Sequence, residues 1–263
     1  MTQVRQATVA GSFYPADAGE LCNSINRMLD EVPAVTGTAP KALIVPHAGY
    51  VYSGPVAATA YSRLRAHRDQ YTRIILLGPS HRVAFRGLAT SSAAVFRTPL
   101  GDVPVDRQAI EALQQPDLFV FDDAHRFEHS LEVHLPFLQV VLGSFSLVPI
   151  VVGDSDPEAV ARVVDALWGG PETLIIVSSD LSHYLSRAEA SIRDHATSDA
   201  IEQFDAHSIG HDDACGATPL DGLLIAARRQ GLQVKTLDLR NSGDTAGGRE
   251  QVVGYGAWMF LSA

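Results

Sequence analysis

The feature that most constrains the fold is a set of short aliphatic runs with little polar alternation, separated by stretches of helical spacing. Ala42–Val45, Arg73–Leu77, Leu147–Val152, Thr173–Val177, Val234–Leu239 and Val252–Leu261 each read as a strand. Runs that lack a polar face suit strands covered on both sides, which requires helices above and below a sheet. Between them, Asp17–Leu29, Pro55–Leu64, Asp106–Leu113, Asp156–Leu167, Arg187–Phe204 and Pro219–Arg229 read as helices. Pro55 fits a first helical position, and Gly169-Gly170 and Gly231 fit stops. Strand alternating with helix predicts an α/β fold with parallel strand pairs. No repeat or long linker divides the 263 residues, so one domain over 1–263 is expected. Segment 83–121 is less regular and reads as a hairpin or a strand insertion.

Hydrophobic residues at 46% and charged residues at 19% exclude a disordered chain. A net charge of −10 with no Lys/Arg run argues against nucleic acid and anionic membranes as partners. No apolar run reaches the roughly 18 residues of a membrane span, and Met1–Pro15 lacks the apolar core of a signal peptide. A cytoplasmic location with reduced Cys22 and Cys215 is therefore expected.

Chemistry gathers where strands end. Ala42–Val45 runs through Pro46 into His47, Arg73–Leu77 through Gly78-Pro-Ser into His81, and Thr173–Val177 into Ser178-Ser-Asp-Leu-Ser-His183. The carboxyl ends of parallel strands line one crevice, so His47, His81, Asp180 and His183 are expected to converge. Glu128-His-Ser-Leu-Glu-Val-His134 reads equally as part of that pocket or as a capped helix start, with Ser130 as N-cap and Glu132 in the first turn. His125, His67, His195 and His207 read as surface, and His211 is left outside the site. Cys22, beside Leu21 and Ile25 on a helix, reads as packing. Cys215 precedes a helix, a position that favours thiolate, and beside the histidines it is a candidate third ligand. Two imidazoles and a thiolate suit zinc, copper or iron with a coordination position open. No G-x-G-x-x-G, P-loop, G-x-S-x-G or C-x-x-C motif is present, so nucleotide binding and serine-hydrolase chemistry have no support, and a hydrolase with structural zinc stays a minor reading.

Ala10-Gly-Ser-Phe-Tyr-Pro15, Val45-Pro-His-Ala-Gly-Tyr50, Gly78-Pro-Ser-His81, Glu128-His-Ser-Leu-Glu-Val-His-Leu-Pro136, Ser178-Ser-Asp-Leu-Ser-His183, Cys215-Gly216, Asn241-Ser-Gly-Asp244 and Val253-Gly-Tyr255 occur in that order. Together they resemble the Memo family, the B component of the AmmeMemoRadiSam system, over about residues 5–260. That family is similar in fold to the class III extradiol dioxygenases. The resemblance implies one three-layer α/β domain with a central mixed, largely parallel sheet. It implies His47, His81 and Cys215 as metal ligands, with His129, Asp180 and His183 lining the pocket and His183 as acid/base. The dioxygenases hold iron with two histidines and a carboxylate. Cys215 departs from that set, and a thiolate favours softer ions, so dioxygenase activity does not carry over directly.

The expectation is a metal-binding protein acting as an oxidoreductase on a small, aromatic or phenolic molecule. Iron(II) is the first choice of ion, with copper or zinc as alternatives. His183, oriented by Asp180, would move a proton, and His129 would bond substrate. The alternative is a non-catalytic metal- or peptide-binding protein with the same cleft. The resemblance also implies a functional link to a radical-SAM protein.

Overall fold

The computed structural model describes residues 3–34, 37–113 and 115–262. Its strands are β1 (Val4–Arg5), β2 (Ala42–Val45), β3 (Arg73–Pro79), β4 (Leu88–Thr90), β5 (Val95–Thr98), β6 (Gly101–Pro104), β7 (Leu118–Val120), β8 (Ser146–Val152), β9 (Thr173–Ser178), β10 (His183–Leu185), β11 (Gln233–Asn241) and β12 (Val252–Leu261). The helices are α1 (Ala18–Asp30), α2 (Tyr50–Tyr61), α3 (Arg107–Ala112), α4 (Asp122–Arg126), α5 (His134–Leu142), α6 (Pro157–Ala166), α7 (Arg187–Glu202) and α8 (Ala217–Arg229). Capping sets several starts. The carboxylates of Asp17, Asp106 and Asp156 accept from backbone N–H groups of α1, α3 and α6, and Ser186 with Glu189 forms a capping box on α7.

The large sheet runs β10-β12-β2-β9-β3-β8-β4-β7, with β11 also paired to β12. Its centre, β2-β9-β3-β8, is parallel throughout. β12 and β4 border that centre in the antiparallel sense, so the sheet is mixed and its parallel character is concentrated in the middle. The central residues Leu43, Ile44, Ile75, Leu76, Ile175 and Ile176 are fully buried, as runs without a polar face require. The chain crosses from β2 through α2 to β3 in one direction, and from β8 through α6 to β9 in the other. Right-handed crossovers of opposite travel put α2 and α6 on opposite faces. α1 and α5 pack with α2, and α8 packs with α6, β9 and β3. Within segment 83–121, β5 and β6 form an antiparallel hairpin that joins β1 in a small three-stranded sheet.

Two helix starts differ from the sequence reading. α2 begins at Tyr50, so Pro55 lies inside it and leaves the carbonyl of exposed Val51 without its helical partner. α8 begins at Ala217 with Gly216 as N-cap, ahead of Pro219. A Cβ on Gly216 would stand 2.6 Å from the Ser178 carbonyl oxygen, so only glycine lets Cys215 come this close to the end of β9. Likewise a Cβ on Gly78 would stand 2.8 Å from Ser130 Oγ, which brings segment 128–134 against the end of β3.

Candidate metal centre

The ends of β2, β3 and β9 point to one edge, as the parallel pairing demands. His47 follows β2, and its backbone N–H donates to Asp180 Oδ1 at 2.7 Å. Its imidazole is 2% exposed, with Nδ1 2.6 Å from Ser178 Oγ. His81 follows β3. Its backbone N–H donates to Glu128 Oε2 at 2.6 Å, and its Nδ1 lies 2.9 Å from Glu128 Oε1. Burial pushes the Glu128 carboxyl up, but the bonds from His81 and Ser130 outweigh it and hold the group down at about 2. Glu128 is therefore an ionised acceptor that takes His81 Nδ1 as its partner and leaves Nε2 as the nitrogen facing away from it. A carboxylate behind an imidazole in this way is the usual support of a metal-ligating histidine.

His129 supplies the third ring. It stacks on His81 with centroids 4.7 Å apart and meets Phe13 at 4.8 Å. His129 Nδ1 is buried and lies 3.4 Å from Glu128 Oε1, without a hydrogen bond among the described residues. Ligand atoms of His47, His81 and His129 all lie within 4.8 Å of one another. Burial, then the neighbouring imidazoles, push His47 well below the usual histidine range, and burial takes His129 down to about 4. Uncharged rings with free lone pairs are what a metal ion accepts. The donor set therefore fits a metal.

Cys215 stands beside this cluster, with Sγ 3.3 Å from His47 Nε2 and 3.7 Å from the Asp180 carbonyl oxygen. Its thiol does not have the lowered pKa expected of a helix start. Burial, then the Asp180 carboxylate, push it up to about 12. The residue sits outside the N-cap of α8, where the weak helix-dipole effect is outweighed by desolvation of a thiolate. A bound metal ion would supply the charge that this thiol otherwise lacks.

Asp180 is buried, and burial lifts its carboxyl to about 6 against the pull of the His47 N–H. It is engaged with the backbone of His47 and, among the described residues, makes no hydrogen bond to His183. The expected Asp180–His183 orienting contact is thus absent. His183 opens β10 and lines a recess of about 520 Å³ with His81, Arg193, His211 and Cys215. Every proposed site residue, His47, His81, His129, Asp180, His183 and Cys215, therefore lies in one region. His211, left out by the sequence reading, joins them at the rim.

Segment 128–134 is not a capped helix start. α5 begins at His134 with Val133 at its cap position and no side-chain cap, and Pro136 falls in its first turn, where no helical N–H is needed. Ser130 Oγ donates to the Pro79 carbonyl at 2.8 Å, while Glu132 forms a buried ion pair with Arg5. His125, expected at the surface, is 2% exposed, bonds the Ala89 carbonyl through Nε2 at 3.0 Å, and is lowered to about 4 by burial. The charged run Asp122–Arg126 hid this, because Arg5 from the distant N-terminal segment covers it, donating to the His125 carbonyl. Among the described residues no helix is long and apolar enough to cross a membrane.

Comparison with known proteins places this geometry in context. The family described as "Memo-like protein" matches residues 5–259. A "MEMO1 family protein" of Methanococcoides burtonii is 37% identical, covering 97% of this chain and 98% of the relative. Homologues of the same name from Sulfolobus acidocaldarius and Aquifex aeolicus are each 34% identical, covering 96% and 98% of this chain and 97% and 100% of their own.

Proposed function

The chain belongs to the Memo family, and from that premise we propose that it binds a metal ion at the histidine cluster and acts as an oxidoreductase on a small molecule. The observation that carries the reading is the convergence of three imidazoles within 4.8 Å. His47 and His81 are the common pair of the ligand set. Cys215, 3.3 Å from His47 Nε2, completes it as the family resemblance implies, and the position of His129 favours a second version in which that ring is the third donor. Iron(II) is the proposed ion, with copper or zinc as alternatives. Bound there, such an ion supplies Lewis acidity and, if iron or copper, one-electron chemistry.

The chain's own residues do the rest. Glu128 holds His81 at a fixed angle, with His47 buried and His81 open to the recess. His183, at the recess, is placed to give or take a proton at a substrate entering beside His81 and Cys215. A recess of about 520 Å³ suits a small molecule, including one with an aromatic ring. The dioxygenase-like fold that the family resemblance implies favours that class of substrate, while the thiol at Cys215 separates this chain from the dioxygenase ligand set.

Metal content by mass spectrometry, on protein purified without oxygen or chelator, tests the reading. Near-stoichiometric metal in the wild type that is lost in His81→Ala supports it. Loss in Cys215→Ser with retention in His129→Ala assigns the thiol to the ion, and the opposite pattern assigns His129. No metal in any sample, with none taken up on reconstitution, leaves only the non-catalytic reading in which the cleft accepts a partner's side chain. Oxygen uptake by the iron-loaded protein with a panel of catechols then tests turnover.

A further inference from the structure

A chain of hydrogen bonds leaves the back of His47 and runs into the core. Ser178 Oγ lies 2.6 Å from His47 Nδ1, 2.8 Å from His134 Nε2 and 2.6 Å from the Ser130 carbonyl oxygen. The Tyr61 hydroxyl lies 2.7 Å from His134 Nδ1. Ser178, Ser130 and Tyr61 are 0% exposed and His134 is 1% exposed. None of Ser178, His134 and Tyr61 has a role in the site as described above.

The direction of every bond in this chain is fixed by counting protons. A serine hydroxyl has one proton and two lone pairs. The Ser130 carbonyl can only accept, so the Ser178 proton is committed to it. Both lone pairs of Ser178 Oγ must then receive donors, because two lone pairs facing each other across 2.6 to 2.8 Å would repel. His134 accordingly carries its single proton on Nε2, and its Nδ1 accepts from the Tyr61 hydroxyl. His47 carries its proton on Nδ1. Its Nε2 lone pair is thereby left free on the side where Cys215 Sγ sits 3.3 Å away.

We propose that Ser178 is a positioning residue that fixes His47 in the tautomer able to ligate a metal through Nε2, with His134 and Tyr61 holding Ser178 in that role. The inference rests on the metal-binding reading and extends it past the ligands. The back of His81 is held by a carboxylate, Glu128, whereas the back of His47 is held by a neutral hydroxyl saturated from three sides. The consequence is that His47 gains orientation without an added negative charge in a fully buried place.

The test measures tautomers and affinity separately. Long-range 1H–15N NMR on metal-free, 15N-histidine-labelled protein should show His47 protonated at Nδ1 and His134 at Nε2. Ser178→Ala should leave His47 as a mixture of tautomers and weaken zinc binding, read by competition with a chromophoric chelator, by about 10- to 100-fold. Tyr61→Phe keeps the ring in the core and removes only the hydroxyl. It should leave His134 donating to Ser178 from Nε2 but without a donor to its Nδ1, and weaken zinc binding by a smaller factor. If Ser178→Ala does not fold by circular dichroism, Tyr61→Phe decides. A wild type with His47 protonated at Nε2 overturns the proposal. So does an unchanged His47 tautomer and zinc affinity in folded Ser178→Ala, or, where that variant does not fold, unchanged zinc affinity in Tyr61→Phe, since a purely structural role would move stability alone. A wild type that takes up no zinc refutes the metal-binding reading and with it the purpose assigned to Ser178. The tautomers seen without metal distinguish that result from a failure of the chain itself.

Discussion

Replacing Arg5 with methionine should cost the protein about 3 kcal/mol, near the lower end of what breaking a buried ion pair costs. Arg5 and Glu132 pair from 127 residues apart, with side chains 5% and 0% exposed. Arg5 also donates to the carbonyls of Gln6, His125 and Glu128, which ties the N-terminal segment to the loop that carries His129. Glu132 is not left wholly bare in Arg5→Met. It still accepts from the Thr8 N–H at 2.9 Å, the Val9 N–H at 3.0 Å and the Tyr14 hydroxyl at 2.5 Å, which is why the lower end applies. At about 2–4 °C per kcal/mol for a chain of this size, the midpoint should fall by about 6–12 °C. The sign of the pH effect follows from Glu132. Burial raises its pKa, but Arg5 and the hydrogen bonds outweigh burial and hold it below the ordinary value. Its stabilisation is therefore present above the unfolded carboxylate pKa and lost as pH falls through the folded one, and in Arg5→Met that loss should begin at higher pH. Urea unfolding followed by circular dichroism at pH 7 and at pH 5 measures both effects. A loss under about 1 kcal/mol, the level of an exposed pair, would refute the argument.

Other perturbations reach different parts of the structure. Glu128→Gln should weaken zinc binding by about 10- to 100-fold, because an amide cannot replace the ionised acceptor behind His81; unchanged affinity in chelator competition would remove Glu128 from the site's support. Gly222→Ala should cost about 1–3 kcal/mol in urea unfolding, since its Cβ would stand 2.4 Å from Val160 Cγ1 where α8 crosses α6; a neutral result would mean the two helices can part. Asp221 is raised to about 8 by burial and then by Asp205, and its buried Oδ1 has no hydrogen-bond partner among the described residues. The folded chain thus holds this proton where the unfolded one releases it, so stability falls as pH rises from the carboxylate range to about 8. Asp221→Asn should flatten that slope, and identical slopes for variant and wild type at pH 5 and pH 8 would contradict it.

The layout of the site was legible because it follows from strand direction alone. His47, His81 and the Asp180–His183 segment each trail a buried aliphatic run, and parallel pairing brings those ends to one edge whatever the rest of the chain does. What was not legible is set by contacts distant in sequence. Ser178 reads as the first residue of the break after an apolar strand, and only its approach to Ser130, 48 residues away, and to His47, 131 residues away, gives it a role. The thiolate character expected of Cys215 was misread for a physical reason. The start of a helix shifts a thiol by a fraction of what burial does, and local sequence shows the helix start but not the burial.

Segment 128–134 defeated a reading in periods because its alternation is not that of a helix or a solvated strand. Glu128 reaches His81, the Ser130 carbonyl receives Ser178, and Glu132 receives Arg5, so successive even positions each hold a different part of the molecule. Gly78 lets the segment press onto the end of β3, where a Cβ would stand 2.8 Å from Ser130 Oγ. Support of the clustered histidines and cohesion of the fold are therefore the same contacts here, and substitutions in this segment should lower both together. Cys215 is tied differently. Its sulfur lies 3.3 Å from His47 Nε2 and 3.7 Å from the Asp180 carbonyl oxygen, so Cys215→Ser can alter the site while leaving the fold intact. That asymmetry is what makes the thiol, rather than His129, the cleaner place to separate metal chemistry from structure.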